Sequence, residues 1–212
     1  MKKVLDNKKL EVVFIIDRSG SMAGSEENTI SSFNEYLEKE KKNKFDTYVS
    51  TILFSDTYKE IYKRKKVSEV KKLTKDDYIV GGCTALYDAL GNSINNMEKY
   101  KNDKVLFIII TDGYENASLE YKKDNIKELI KSHNNWEFIY IGADIDSYES
   151  GADIGIRKDN IANFKKDKKG TSLLFKSIGN FEACMMGDEG VMNKASWKED
   201  LEKYIDENKN NL

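Results

Sequence analysis

The sequence predicts an α/β fold: a doubly wound, mostly parallel six-stranded sheet with helices on both faces. Three observations carry that expectation. Short apolar runs alternate with amphipathic helical patterns along most of the 212 residues, an alternation that builds parallel sheets covered on both sides. Two of those runs, Val12-Val13-Phe14-Ile15-Ile16 and Val105-Leu106-Phe107-Ile108-Ile109-Ile110, are apolar at every position, as strands buried on both faces are. Each is closely followed by an aspartate, Asp17 or Asp112, at the carboxyl end of a strand, where sheets of this class bind their ligands.

Taken in order, β-type runs fall at about 10–17, 45–54, 57–64, 104–112, 136–143 and 160–165. Between the first two, Glu26 to Lys42 sets Ile30, Phe33 and Leu37 on one helical face behind Ser25 as a candidate cap. The second and third runs are separated only by Ser55-Asp56, which predicts a hairpin. The third strand is therefore the antiparallel member, and its charges (Lys59, Glu60, Lys63, Arg64) suit an exposed edge. Ala85 to Tyr100, with Leu86, Leu90, Ile94 and Met97, and Leu119 to Ser132, with Ile126, Leu129 and Ile130, read as the next helices. A short turn near Tyr148 and a helix over Ser172 to Met186 complete the alternation. The expected strand order is 3-2-1-4-5-6, Rossmann-like, which makes the first and fourth strands neighbours.

Residues 8–187 are read as one domain and 188–212 as a C-terminal extension, joined through a flexible stretch over Met186 to Lys194. In the extension, Ser196-Trp197-Lys198-Glu199 has the form of a capping box opening a short amphipathic helix, expected to dock on its own domain. A chain of this length buries about 70% of the surface its unfolded form exposes, so it needs no staples. Charged residues make up 34% of the chain yet nearly cancel to a net charge of −2, which argues against nucleic acid or an anionic membrane as partner. The basic patches Lys63 to Lys66 and Lys165 to Lys169 are read as solvated surface.

No apolar run approaches the roughly 20 residues a membrane helix needs. The first nine residues lack the apolar core and small-residue cleavage site of an export signal. Cys83 and Cys184 have no metal-ligand spacing and are read as small packed residues of a reducing compartment. A cytoplasmic protein, monomeric by itself, is expected.

Chemistry concentrates at the strand ends. Asp17-Arg18-Ser19-Gly20-Ser21 offers a carboxylate and two hydroxyls at alternate positions, a half-shell of the hard oxygen donors that Mg²⁺ prefers. Asp112 faces the same crevice if the strand order holds. Thr84, behind Gly81-Gly82-Cys83 and opening a helix, can aim a third hydroxyl there. Asp88, Glu115, Asn116, Asp144 and Asp146 lie near enough in the chain to support or rim the site, with solvated or capping roles as the plainer reading. His133, the single histidine, is read as satisfying the last carbonyls of a helix.

These three motifs resemble the metal-ion-dependent adhesion site of von Willebrand factor A domains. The resemblance covers roughly residues 8–187. The strings Gly82-Cys83-Thr84-Ala85-Leu86-Tyr87-Asp88-Ala89 and Thr111-Asp112-Gly113-Tyr114-Glu115-Asn116-Ala117-Ser118 look most like stand-alone bacterial and phage members. The resemblance implies Ser19 and Ser21 as direct hydroxyl ligands and Asp17 and Asp112 as carboxylates that bind directly or through water. Thr84 is implied as a hydroxyl whose contact varies with state. It further implies a cytoplasmic module in which bound Mg²⁺ or Mn²⁺ accepts a Glu or Asp from a partner protein.

Two other readings stand beside that one. A Mg²⁺-dependent phosphohydrolase of the haloacid-dehalogenase-like kind would want a second acid two positions after Asp17, where Ser19 stands. The chain also lacks a Walker-type loop and a Gly-x-Gly-x-x-Gly turn after its first strand, and a lone histidine leaves little for a Ser-His-Asp triad. A scaffold whose metal only stiffens loops would carry its binding face elsewhere, for example on the C-terminal helix.

Overall fold

The structure, a computed structural model, describes residues 9–43, 45–100, 103–187 and 196–208. Strand β1 (Lys9–Asp17) pairs in parallel with β2 (Asp46–Phe54) on one side and β4 (Lys104–Thr111) on the other. Strand β3 (Tyr58–Lys66) returns antiparallel along β2, while β5 (Glu137–Gly142) and β6 (Ile161–Asn163) extend the sheet in parallel beyond β4. The order is β3-β2-β1-β4-β5-β6, as expected. Register sets Ile16 opposite Ile110, so the chain leaves β1 and β4 at the same level and the following loops share one rim.

The apolar strands divide their side chains between two cores, because alternate residues point to opposite faces. On one face Val12, Phe14 and Ile16 of β1 and Leu106, Ile108 and Ile110 of β4 pack under α1 (Glu26–Glu40), α5 (Lys168–Met186) and α6 (Glu199–Glu207). On the other, Val13, Ile15, Val105, Phe107 and Ile109 pack under α2 (Leu86–Met97) and α3 (Lys123–Ser132), with Ile154 behind α4 (Ser147–Asp153). Aromatic rings anchor the first core, with Phe14 edge-on to Phe33 at 5.1 Å and to Tyr36 at 5.2 Å. Among the described residues no helix is long and apolar enough to cross a membrane.

Several local expectations are corrected. Helix α3 begins at Lys123, not Leu119, because Asp88 on α2 takes the backbone N–H groups of Leu119, Glu120 and Tyr121 at 2.8, 2.9 and 2.8 Å. Those donors are thereby held in a turn. Ser25 does stand at the N-cap of α1, but its hydroxyl donates backward to the Met22 carbonyl at 2.6 Å. The capping box at Ser196 is not made. Lys198 occupies the N-cap of α6 without a side-chain cap, since the buried Trp197 donates its indole N–H to the Asp159 carbonyl at 2.8 Å and fixes the chain just ahead of the helix. Helix α6 nevertheless docks on the domain as expected, with Trp197 edge-on to Phe181 at 5.5 Å and Leu201 fully buried. Cys83, expected to be packed, is exposed. The stretch expected to be flexible lies, beyond Gly187, outside the described residues.

Candidate metal centre

Asp17 ends β1 with none of its surface exposed. Its two carboxylate oxygens are held separately: Oδ1 accepts from the Ser19 N–H at 2.7 Å and Oδ2 from the Thr111 hydroxyl at 2.6 Å. The Ser19 and Ser21 hydroxyls lie 3.1 Å apart, and Ser21 Oγ donates to Asp112 Oδ1 at 2.5 Å. Two loops separated by 91 residues in the chain thus share a hydrogen bond. Thr84 joins them at Gly113, where a Cβ would stand 2.8 Å from Thr84 Oγ1, 3.5 Å from Ser21 Oγ and 3.7 Å from Asp17 Oδ2. Oxygens of the Asp17–Ser21 and Thr84 motifs therefore converge over the third motif, at a point that only glycine leaves open. All five expected residues, Asp17, Ser19, Ser21, Thr84 and Asp112, meet at this rim.

The donor set fits a hard divalent cation. Asp17 is buried with no ion-pair partner among the described residues, and a buried carboxylate without a counter-charge is costly. Burial accordingly pushes its carboxyl above the ordinary aspartate value, and the Thr111 and Ser19 donors work against that rise while the Asp112 charge adds to it. Among the described residues no three His, Cys, Asp or Glu side chains gather as a metal cluster. The oxygens here are instead two carboxylates and three hydroxyls, a set suited to Mg²⁺ or Mn²⁺ more than to soft metals.

Hydrogen bonds between loops hold this geometry. Gly20 N–H donates to the Gly82 carbonyl at 3.0 Å and Gly81 N–H to the Arg18 carbonyl at 2.8 Å. Gly82 sits at φ +82°, and a Cβ there would meet Asp56 Oδ1 at 2.3 Å, so the loop closes only with glycine. Arg18, given no role from sequence, donates to the Ile79 carbonyl at 3.0 Å and to the Thr57 hydroxyl at 2.5 Å. Asn116 Oδ1 accepts from Thr84 N–H at 2.9 Å, and Glu115 accepts from Tyr87 N–H at 2.9 Å. Asn116 and Glu115 therefore clamp the Thr84 loop onto the Asp112 loop, and Asp88 pins the turn behind them.

Lys166 is the residue that sequence reasoning placed wrongly. Read as part of a solvated patch, it instead reaches back from the segment after β6 to the centre. Its ammonium donates to Asp112 Oδ2 and pairs with Asp144 Oδ2, each at 2.8 Å, and lies 3.3 Å from the Ser21 carbonyl. Its neighbours are engaged too, Lys165 with the Asn208 carbonyl and Lys169 over the Tyr204 ring. The signal available in sequence was position alone, since a basic run directly after the sixth strand must lie on the rim that carries the acids. His133 caps α3 as expected, with Nδ1 2.8 Å from the Leu129 carbonyl and Nε2 2.9 Å from Glu98. It stands at the other end of the sheet, where β5 begins.

A family model described as von Willebrand factor type A domain matches residues 11–175. The chain belongs to that family. A curated relative, the probable bifunctional E2/E3 enzyme R795 of Acanthamoeba polyphaga mimivirus, is 29% identical over 133 residues, covering 55% of this chain and 10% of that protein. Among solved structures, proximal thread matrix protein 1 from the mussel byssus, with a zinc-occupied adhesion-site motif, superposes with a TM-score of 0.61 at 15% identity. That comparison covers 82% of this chain and 46% of the mussel chain. The ArnB paralog VWA2 from Sulfolobus acidocaldarius superposes with a TM-score of 0.58 at 19% identity, covering 81% and 44%. The von Willebrand factor A chain thus spans a tenth of the viral relative and less than half of each of these structures, which share its fold.

Proposed function

We propose that this von Willebrand factor A domain is a metal-dependent protein-binding module. Asp17, Ser19, Ser21, Thr84 and Asp112 would hold Mg²⁺ or Mn²⁺, and a partner protein would add a Glu or Asp carboxylate. The observation that carries the reading is the convergence of Thr84, Ser21 and Asp17 oxygens over Gly113. When bound, the ion supplies a positive centre that two carboxylates neutralise without exceeding, so it still attracts an anion. Asp17 and Asp112 fix its position, and the exposed Ser21 marks the side from which a partner can approach.

Apolar surface on the same rim supports a protein partner. The most exposed large apolar side chains among the described residues are Leu119, Ile79, Tyr114 and Tyr58, and all four stand on loops or strand starts at the carboxyl end of the parallel strands. Large side chains of this kind, aromatic ones above all, are the usual anchors of a protein interface. Of the ionisable groups at the centre, Asp17 and Asp112 would be taken up as ligands and Lys166 is paired with Asp112 and Asp144, while the single histidine stands at the opposite end of the sheet. The domain is accordingly read as binding without turnover, within whichever compartment holds its partner.

Titration of the purified protein with Mn²⁺, followed by water-proton relaxation, tests the site. Wild type is expected to bind, and Asp17→Ala and Asp112→Ala to weaken binding by more than about tenfold. Acetate, a bare carboxylate, is expected to displace bound water and lower the relaxation of the loaded protein. Equal Mn²⁺ binding by wild type and both variants would remove the assignment, and acetate without effect would remove the open position.

A further inference from the structure

We infer that Lys166 is a resident cation of the metal centre that opposes metal binding and favours the anion that follows. The inference rests on the metal reading above and deepens it.

Lys166 lies between β6 and α5 and crosses the rim to reach oxygens that follow three other strands: Asp144 after β5, Asp112 after β4 and the Ser21 carbonyl after β1. Its placement is built rather than incidental. The backbone is tied to α1 through Asn28 Nδ2, which donates to the Lys166 carbonyl at 3.5 Å. The side chain is about three-quarters covered, and the Asp112 side chain beneath it has no exposure at all. A surface lysine gains little from one exposed carboxylate. Here the Asp112 partner is fully covered, which makes the contact stronger and leaves the ammonium little freedom to leave.

Two consequences follow from a fixed positive charge beside the cation seat. An entering divalent ion meets repulsion from the ammonium and competes with it for Asp112. Once the ion is seated, the same ammonium offsets the negative charge of Asp112 and Asp144, so the centre attracts a partner carboxylate more strongly than two or three bare acids would allow. One lysine thus moves the two affinities in opposite directions, which a residue that merely props the loop would not do.

The test compares wild type, Lys166→Gln and Lys166→Arg, with Mn²⁺ as the metal probe and acetate as the anion probe, at fixed pH and ionic strength. Lys166→Gln is expected to bind Mn²⁺ about tenfold more tightly than wild type, and the Mn²⁺-loaded variant to bind acetate more weakly. Lys166→Arg, which keeps the charge, is expected to stay within about threefold of wild type in both. Thermal melting of the metal-free proteins checks that all three fold alike. Lys166→Gln binding Mn²⁺ no more tightly than wild type, while Asp112→Ala weakens binding as expected, would overturn the role of Lys166 and leave the metal centre standing. Undiminished binding by Asp112→Ala would overturn the metal centre itself, and the inference with it.

Discussion

Glu182, deep between α5 and α1, shows what one proton is worth in this interior. It is 1% exposed and accepts from the Tyr36 hydroxyl at 2.6 Å, while Glu40 beside it is 4% exposed and accepts from Asn43 at 2.7 Å. With both carboxylates ionised neither Oε2 has a donor; a proton carried by Glu182 supplies one. Burial, and then the Glu40 charge, push the Glu182 carboxyl well above the glutamate value of 4.5. The folded chain therefore holds a proton that the unfolded chain releases near that value. Stability from this pair is full below it and declines as pH rises toward the folded value. Glu182→Gln keeps the acceptor for Tyr36 and cannot ionise. It is expected to melt about 2–8 °C higher than wild type near pH 8, with the gap closing toward pH 4.5. Parallel pH profiles for the two proteins would show that the pair carries no such cost. Neither acid was legible in sequence, because nothing local distinguishes a buried glutamate from the many exposed ones. The shared level of Asp17, Ser19, Ser21, Thr84 and Asp112 on one rim was legible, because each stands beside an apolar strand or a glycine pair that dictates its height in the fold.

At the scale of elements, two acids and one amide behind the Thr84 and Asp112 loops, namely Asp88, Glu115 and Asn116, behave as one device. Asp88 on α2 gathers three successive N–H groups, Glu115 gathers those of Tyr87, Ala117 and Ser118, and Asn116 holds Thr84. Carboxylates that accept several backbone donors are strong local anchors. Asp88→Ala is expected to lower stability by about 1–3 kcal/mol and to speed amide exchange at Leu119, Glu120 and Tyr121 selectively. Unchanged exchange at those three amides would show that the turn holds without its anchor. Helical periodicity carried the expected α3 back to Leu119, because it sees apolar spacing and not a carboxylate 31 residues earlier in the chain. The capping box at Ser196 failed for a related reason: the burial of Trp197 outweighs the modest gain of one cap hydrogen bond. Strands were read more accurately than helix starts, since apolar runs such as Val105 to Ile110 leave few alternatives.

Over the whole molecule, two cores on opposite faces of one sheet explain why the C-terminal segment docks where it does. Trp197 and Leu201 join the core that holds α1 and α5, and the indole is edge-on to Phe181 with its N–H satisfied by the Asp159 carbonyl. Trp197→Ala removes that packing and orphans the carbonyl, and is expected to cost about 3–5 kcal/mol by denaturant unfolding. A loss below about 0.5 kcal/mol would make α6 an appendage. Sheet order was legible because two uninterrupted apolar strands needed central places and one charged strand needed an edge. The path of Lys166 across the rim was not, because it depends on how α5 starts after a strand of three residues.

The 91-residue separation between the two loops joined by Ser21 and Asp112 has a temporal meaning as well. During synthesis, a chain that has emerged only as far as α2 presents Asp17, the two serines and Thr84 but no Asp112, and it has no β4 to hold β1 in register. On the function proposed above, a partner that needs the completed centre would be blind to unfinished or misassembled copies, and its docking would inspect whether folding has run its course.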